Sequence, residues 1–204
     1  HAFNNNIDVH SSTAAEVFGV SIDDVTQDQR RSAKAINFGL MYGMSAFGLT
    51  RQLGIPRGEA QEYLDAYFAR YTGVRDYMDN IKAKAKEDKY VETIMARRLY
   101  LNEINAANGL RRQAAERAAI NAPLQGSAAD IIKKAMLDID DLILNEMPDV
   151  KMIMQVHDEL VFECPKDNAE TVMEKTKETM EKTVKLEIPL IAEAAIGSNW
   201  NEAH

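Results

Sequence analysis

The 204-residue sequence contains a single cysteine, Cys164, and has no internal repeat or low-complexity segment. One cysteine excludes an internal disulfide, so the fold depends on a packed core, for which 46% of the residues are hydrophobic. There is no apolar run of about 20 residues and no charged-then-apolar leader, so secretion and membrane insertion lack support. These absences favour a globular protein of the reducing cytoplasm.

Positive charge is outweighed by negative charge, because 24 Lys and Arg residues stand against 32 Asp and Glu, which gives a net charge of −8. Such a balance ordinarily argues against a nucleic-acid partner, since phosphate binding needs a basic surface. Residues 1–108 carry 13 basic and 14 acidic side chains, whereas residues 109–204 carry 11 and 18. Five arginines lie close together in the sequence, at positions 97, 98, 111, 112 and 117. A local basic patch on an acidic protein is therefore possible.

The segment 30–42 places two kinds of side chain on one helical face. The side chains that recur there every four positions are Arg30, Lys34, Phe38 and Tyr42. At about 100° per residue they stay on one broad stripe, which is cationic at its start and aromatic at its end. This pattern suits a nucleoside triphosphate, with phosphates at one end and a flat base at the other. Spacing alone leaves open the alternative of solvated cations followed by aromatic core packing.

Two short β-type runs flank His157-Asp158-Glu159, which predicts a hairpin with the acidic pair at its tip or shoulder. Like charges about 4 Å apart cost about 4 kcal/mol at an effective dielectric near 20, and a divalent metal removes that cost. A solvated turn is the alternative. Because successive strand residues point to opposite faces, Asp158 and Glu159 need not share one role.

Local signals predict the elements of the N-terminal half. Thr13 and Glu16 have capping-box spacing, so a short helix is expected to start there and to end at Gly19. His10 lies just before that start, where unpaired backbone N–H groups favour an anion, although a lone loop histidine more often has a structural role or none. Period-two alternation across residues 90–101 predicts a hairpin.

In the C-terminal half, a helix from Arg111 is expected to be interrupted by Pro123, and a second helix to begin at residues 125–127. Residues 186–196 are predicted to form a final strand, which because of Pro189 lies at an edge or begins after a bulge. The loop before Gly109 is the predicted domain boundary.

Taken together, these segments closely resemble family A DNA polymerases, specifically the C-terminal third of the bacterial members. The matching segments are Asp8-Val-His10 with Thr13-Ala14, Arg30-x3-Lys34-x3-Phe38-x3-Tyr42-Gly43, Tyr90–Thr93, Arg97-Arg98, Arg111-Arg112, Arg117–Gly126 and Gln155–Glu159. The resemblance runs along nearly the whole chain. It implies an α+β fold, with a mainly helical fingers subdomain for residues 1–108. Residues 109–204 would form the C-terminal part of an antiparallel-sheet palm flanked by helices, in an incomplete right-hand fold.

The activity implied by the resemblance is template-directed addition of deoxynucleoside triphosphates to a primer 3′-hydroxyl with release of pyrophosphate, in DNA replication and repair. By motif match, Arg30, Lys34 and His10 would contact the phosphates, with Lys34 a candidate general acid for the departing pyrophosphate. Phe38 would pack against the sugar and base. Tyr42 would lie beside the templating base, together with Gly43.

The resemblance also implies DNA and metal contacts. The expected DNA-binding residues besides Tyr42 and Gly43 are Arg111, Arg112, Arg117, Asn121, Gln125 and, near the primer end, His157. The minor groove, where Arg117, Asn121 and Gln125 would bind, offers a degenerate pattern that suits any sequence. Asp158 would ligate catalytic Mg²⁺, and Glu159 is the weaker candidate.

The sequence also departs from the family pattern. The family's first metal-binding motif, an Asp-Tyr-Ser-like strand, is absent, as are the thumb and the exonuclease-like domain. We therefore predict that the 204 residues alone do not polymerise DNA and need the missing N-terminal part of the polymerase. Ala96 stands where glycine is usual, and Asn102 where proline is common.

Two other functions remain as alternatives. One is a non-catalytic helical interaction module with a polymerase-like shell. The other is a metal-dependent phosphohydrolase centred on Asp158 and Glu159, which is weakened because too few carboxylates converge there.

Overall fold

The computed structural model describes residues 2–203, apart from the side chain of Met41. Internal contacts divide the chain into two compact units, residues 1–126 and residues 127–204. By packing, residues 109–126 belong with the first unit. The boundary predicted between residues 108 and 109 concerns the fingers and palm subdomains and stays a prediction. No helix among the described residues has the length and apolar character needed to cross a bilayer.

The first unit is mainly helical. Its elements are α1 (Val9–Phe18), α2 (Gln27–Met41), α3 (Ala46–Leu53), α4 (Arg57–Arg70), α5 (Thr72–Asp88), strands β1 (Tyr90–Glu92) and β2 (Arg98–Tyr100), and the first half of α6 (Gly109–Glu146), with short 3₁₀ turns at Phe3–Asn5 and Ile22–Asp24. The two strands pair antiparallel, with Val91 opposite Leu99. The predicted hairpin is therefore confirmed.

Helix α1 begins four residues earlier than its sequence signal indicates. The N-cap is Asp8, whose carboxylate accepts a hydrogen bond from the backbone N–H of Ser11 at 2.6 Å. Thr13 is instead a buried helical residue, 2% exposed, and its hydroxyl donates to the carbonyl of Val9 at 2.8 Å. An aspartate cap satisfies an unpaired N–H as well as a threonine does, so the capping-box interpretation of Thr13 was wrong. The predicted end at Gly19 is confirmed, with φ at 66°.

Helix α2 starts with a capping box in which Thr26 and Gln29 satisfy each other's backbone N–H groups. One of its faces is buried, with Ile36 at 1% and Leu40 at 3% exposure. These side chains pack with Leu49 of α3 and with residues of α4. Full burial of such an aliphatic side chain contributes about 1.5–3 kcal/mol, so this core holds α2 firmly.

A second core joins the β1–β2 hairpin to the start of α6. It contains Val91, Leu101, Ile104, Ala115 and Ala119, all below 9% exposure. The small alanines let the hairpin and the helix approach closely.

The hairpin and the helix also come very close at Gly126. A Cβ added there would lie 2.6 Å from Cγ2 of Thr93. Thr93 is pinned, because its hydroxyl accepts hydrogen bonds from the backbone N–H groups of Met95 and Arg97. The threonine therefore has no cheap rotation that would make room for a methyl group.

We expect the substitution Gly126→Ala to lower the free energy of unfolding by about 1–3 kcal/mol, because overpacking must displace a fixed side chain. The matched control is Gly58→Ala in α4, where an added Cβ meets nothing within 4 Å. This control should be neutral or stabilise by up to about 1 kcal/mol, as alanine does in helices. Urea unfolding of both variants measures the difference. Equal effects at the two positions would contradict the close approach.

Helix α6 is continuous through Pro123, so the prediction of two helices was wrong. A proline inside a helix loses one backbone hydrogen bond and costs about 3 kcal/mol or more. Buried side chains lie on both sides of it, including Ala119 and Ile120 before the proline and Ile139 and Ile143 after it. Their packing offsets the cost of the proline. The prediction that Pro123 ends the helix took account of that cost and not of the packing.

The second unit combines helices with a two-stranded antiparallel sheet. Its elements are the second half of α6, strands β3 (Lys151–Val156) and β4 (Glu159–Glu163), a 3₁₀ turn at Lys166–Asn168, α7 (Ala169–Lys182) and α8 (Trp200–Ala203). Ile139 and Ile143 of α6 share a core with Met147, Val150 and Val172. The predicted α+β class and the second hairpin are confirmed.

Residues 186–196 do not form the predicted strand. The segment has the expected apolar residues, but Ile191 and Ile196 are 57% and 48% exposed. A strand is defined by its partner, and no strand among the described residues pairs with this segment. Its backbone contact with α7 runs from the N–H of Ala192 to the carboxylate of Glu181 at 3.1 Å.

Candidate functional site

The stripe on α2 is exposed along the part that carries its rings. Lys34 is exposed, Phe38 is 40% exposed and Tyr42, just after the helix, is 47% exposed. The core of the unit takes the opposite residues of the helix, such as Ile36 and Leu40. The aromatic end of the stripe therefore does not belong to the core, and its cations and rings are accessible together.

Arg30, the first cation of the stripe, is held by Asp8. Its Nε and Nη2 atoms lie 3.2 Å and 2.7 Å from the two carboxylate oxygens of that residue. The hydrogen bond from Arg30 is the main reason why the pKa of Asp8 lies well below its usual value of 3.8. The same hydrogen bond raises the pKa of Arg30. Sequence reasoning missed Asp8 as a partner, although its position in the motif Asp8-Val-His10 marked it.

His10 lies beside the middle of the stripe. It is the second residue of α1, not a residue before the helix, and its ring centroid is 5.7 Å from that of Phe38. The ammonium of Lys34 lies 5.9 Å from the Phe38 centroid. Burial lowers the pKa of His10, Asp8 opposes this, and the positive charges of Arg30 and Lys34 add to the lowering. The imidazole is therefore biased toward its neutral form.

Asn37 connects α2 to this histidine. Its side-chain nitrogen is 3.1 Å from Nδ1 of His10 and 3.0 Å from the hydroxyl of Thr13. Sequence reasoning missed Asn37, because it lies off the four-residue repeat that defines the stripe. An amide between a helix stripe and a histidine gives no periodic signal, so only the structure identifies it.

Four of the residues predicted to contact DNA lie together at the end of α2. Gly43 has φ at 65°, and a Cβ there would lie 2.9 Å from Cγ of Arg117. The side-chain nitrogen of Gln125 approaches the hydroxyl of Tyr42 at 3.5 Å. Glycine is needed at position 43 both for its left-handed backbone and for the close passage of α6. The end of the stripe and one face of α6 therefore form one surface.

Asn121 lies on the same stretch of α6. Its Oδ1 atom is buried, and among the described residues it has no hydrogen-bond partner. Buried polar atoms are nearly always paired, so this acceptor is an exception that needs a partner.

The other two predicted DNA-binding arginines have structural contacts. Arg112 donates from Nη1 to the carbonyl of Ala106 at 2.9 Å, and so holds the loop before α6. Arg111 is more exposed, and its Nη1 lies 3.9 Å from the carboxylate of Glu103. At that distance the charge attraction is weak, so Arg111 is the more available cation of the two.

In the second unit, His157 and Asp158 form the two-residue turn between β3 and β4. Val156 pairs with Glu159 across this turn, and His157 has φ at 53°. The carboxylate of Asp158 is exposed and has no cation within 4.0 Å among the described residues, whereas Glu159 is the first residue of β4 and half-buried. The hairpin therefore presents Asp158 at its tip.

Across residues 2–203, no three histidine, cysteine, aspartate or glutamate side chains converge into a group that could hold a metal ion. Asp158 and Glu159 are adjacent carboxylates, and carboxylate oxygens are ligands that hard divalent cations prefer. The donor chemistry of the pair suits such a cation, but two residues supply only part of a coordination shell.

Comparisons with known proteins match nearly the whole chain to DNA polymerases. A family model described as DNA polymerase family A matches residues 1–202. DNA polymerase I of Pseudomonas aeruginosa is 57% identical over 203 residues, which are 100% of this chain and 22% of that protein. DNA polymerase I of Geobacillus stearothermophilus is 46% identical over 202 residues, which are 99% of this chain and 23% of that protein. The chain thus spans less than a quarter of these relatives.

A solved structure shows the same similarity. It is the POL domain of Pol1 from M. smegmatis in complex with DNA primer-template and dNTP. The match has a TM-score of 0.95 at 43% sequence identity, and it covers 99% of this chain and 36% of that chain.

Proposed function

The chain belongs to DNA polymerase family A, and we propose that it supplies the fingers and the C-terminal part of the palm of a DNA-directed DNA polymerase. The observation that carries this proposal is the exposed stripe on α2, where accessible cations are followed by accessible rings on one face. A structural helix would bury those rings. The substrate class that fits the stripe is a deoxynucleoside triphosphate.

In this proposal Lys34 and Arg30 bind the phosphates of the incoming nucleotide, and His10 donates a hydrogen bond to them. Phe38, beside His10, packs against the sugar and base. Lys34 is the candidate general acid that protonates the departing pyrophosphate. Catalysis of phosphoryl transfer depends mainly on positioning and charge stabilisation, and these residues supply both.

Template and primer would bind along the surface that contains Tyr42, Gly43, Arg117 and Gln125. Arg117 can neutralise a phosphate or contact a base edge in the minor groove. Asn121, on the same stretch of α6, is the further candidate for a contact in the minor groove. Arg111 and His157 remain candidates for further contacts to DNA.

Family A DNA polymerases depend on metal ions. We infer Mg²⁺ as the metal, held in part by Asp158 and more weakly by Glu159. Bound there together with ligands from the rest of the polymerase, two such ions would supply activation of the primer 3′-hydroxyl and charge stabilisation of the leaving pyrophosphate. The contribution of this chain is to place the Asp158 carboxylate at the exposed tip of a hairpin.

The proposal is tested by titrating the 204-residue chain with a labelled template-primer duplex and with dATP. A polymerase fragment should bind both, and its DNA affinity should fall steeply between about 50 and 200 mM salt because counterions are released. The rival function, a helical interaction module, predicts binding of neither ligand. Absence of both would refute the polymerase assignment for this chain.

The same titration also measures how the ion pair between Arg30 and Asp8 affects dATP binding. We expect Asp8→Asn to tighten dATP binding by about two- to fivefold, because Arg30 no longer shares its donors with a carboxylate. Asparagine also keeps the N-cap of α1, so the helix start is preserved. The control is Glu16→Gln, which removes a similar ion pair with Arg70 at 2.8 Å in the same unit and should leave the affinity unchanged. A loss of affinity in Asp8→Asn would show that the carboxylate helps Arg30 to bind phosphate.

We make two further predictions about this chain. One is that the 204 residues alone do not extend a primer and need the rest of a polymerase chain. The other is a cytoplasmic location, which the single cysteine favours.

A further inference from the structure

We infer that Asn37 is a positioning residue that holds His10 as the neutral tautomer with its hydrogen on Nε2, leaving that N–H as the ring's donor for a phosphate oxygen. The second half of this inference rests on the proposed function. The first half concerns only the hydrogen bonds between α1 and α2 and can be tested without any ligand.

The hydroxyl of Thr13 determines which atom of the Asn37 amide faces it. Its side chain is almost fully buried, and its hydroxyl has a single hydrogen, which it donates to the carbonyl of Val9 at 2.8 Å. The hydroxyl oxygen can then only accept from Asn37. The side-chain nitrogen of Asn37 is 3.0 Å from this oxygen, whereas the side-chain oxygen of Asn37 is 3.4 Å from it. The amide nitrogen is therefore the atom that faces Thr13.

The same amide nitrogen has a second hydrogen. Nδ1 of His10 lies 3.1 Å away, so the two hydrogens of the amide point to Thr13 and to the imidazole. A nitrogen that accepts a hydrogen bond cannot itself hold a proton. The only neutral form compatible with this arrangement has its hydrogen on Nε2.

The surrounding charges agree with a neutral ring. Arg30 and Lys34 on α2 both disfavour an imidazolium, and Asp8 on the ring's own helix is the charge that favours it. Helix α4 also packs against α1, and its Arg70 is paired there with Glu16. Asp8 is itself neutralised by Arg30. Protonation of His10 would bring a third positive charge to the stripe and would break the bond from Asn37.

The tautomer is measured by ¹⁵N NMR of the histidine rings in the 204-residue chain without nucleotide, with His10 assigned from the signals lost in His10→Gln. We expect Nδ1 with the shift of an unprotonated nitrogen and Nε2 with that of an N–H. In Asn37→Asp the residue can only accept, so the hydrogen should move to Nδ1 and the titration midpoint of His10 should move to higher pH. In Asn37→Ala a mixture of both tautomers is expected.

Thr13 provides the matched pair of variants. Thr13→Ser keeps the hydroxyl and should retain the single tautomer. Thr13→Val removes it, so the amide of Asn37 is free to turn and the tautomers should mix. A wild-type ring with its hydrogen on Nδ1, or a single Nε2–H tautomer that persists in Asn37→Ala, would overturn the inference.

Nucleotide binding tests whether the N–H of His10 donates a hydrogen bond to a phosphate oxygen. We expect Asn37→Ala to weaken dATP binding about fivefold, the equivalent of one net hydrogen bond. The control Asn105→Ala removes another side-chain amide of the first unit, which donates to the carbonyl of Lys86, and should have no effect. An unchanged affinity in Asn37→Ala would refute the role of His10 as a hydrogen-bond donor to phosphate. If the wild-type chain binds no dATP, the proposed function and the donor role both fail, while the tautomer is still decided by the NMR result.

Discussion

Replacing Lys34 by alanine is expected to slow nucleotide incorporation by at least about 100-fold, because the proposed function gives this side chain both the charge that binds the triphosphate and the role of general acid. The ammonium lies on the exposed face of α2, 5.9 Å from the centroid of Phe38. Single-turnover incorporation provides the measurement. A suitable enzyme is the Pseudomonas aeruginosa DNA polymerase I in which the matching 203 residues are exchanged for those of this chain.

Arg31→Ala is the control for this experiment. Arg31 is the neighbouring cation on α2, lies off the stripe, and its Nη2 is 3.9 Å from the carboxylate of Asp28. Its loss changes the net charge of the helix as much as the loss of Lys34 does, and it should leave the rate within about twofold. Equal losses in both variants would show that helix charge in general, not the position of Lys34, governs the rate. An unchanged rate in Lys34→Ala would refute its role.

The second large effect is expected at the tip of the β3–β4 hairpin. Asp158→Asn should reduce incorporation about a thousandfold or more in the same chimeric enzyme, since an amide no longer neutralises and orients a divalent cation. Binding of template-primer should persist, because the proposed role of the carboxylate is to bind the metal and not the DNA. Glu159→Gln should have the smaller effect, as it begins a strand and is half-buried.

Asp149→Asn controls for the removal of a loop carboxylate from the same unit. Asp149 is exposed in the turn before β3 and lies outside the hairpin tip. Its substitution should leave the rate and its dependence on Mg²⁺ unchanged. A wild-type rate in Asp158→Asn, or an equal loss in Asp149→Asn, would contradict the metal-binding role.

The stripe on α2 could be predicted from the sequence because a helical repeat of four is a property of nearest neighbours along the chain. Whether Phe38 and Tyr42 were buried could not, because burial depends on which other helices pack against α2. The structure places α3 and α4 against Ile36 and Leu40 and leaves both rings accessible. Local periodicity thus identified the face, and tertiary packing decided its environment.

Two of the errors have the same physical origin. Pro123 was expected to end a helix, but packing of buried side chains on both sides keeps α6 continuous. Residues 186–196 were expected to form a strand, but no described strand pairs with them. In both cases a local preference was weighed without the long-range contacts that reverse or fail to support it.

Asn37 could not be predicted from the sequence for a different reason. Its role depends on two distances to residues more than 20 positions away, 3.1 Å to His10 and 3.0 Å to Thr13. Hydrogen bonds between two packed helices leave no repeat in the sequence, so residue spacing has no access to them. The helix start at Asp8 was missed more simply, because two capping residues competed and the structure uses the earlier one.

The β1–β2 hairpin turns through Ala96, whose φ is 58°. A side chain in this left-handed region costs about 1–2 kcal/mol relative to glycine. The surrounding hydrogen bonds on Thr93 keep the turn in place despite that cost. The paired strands and the hydrogen bonds on Thr93 therefore have to offset a conformational cost that a glycine at position 96 would not incur.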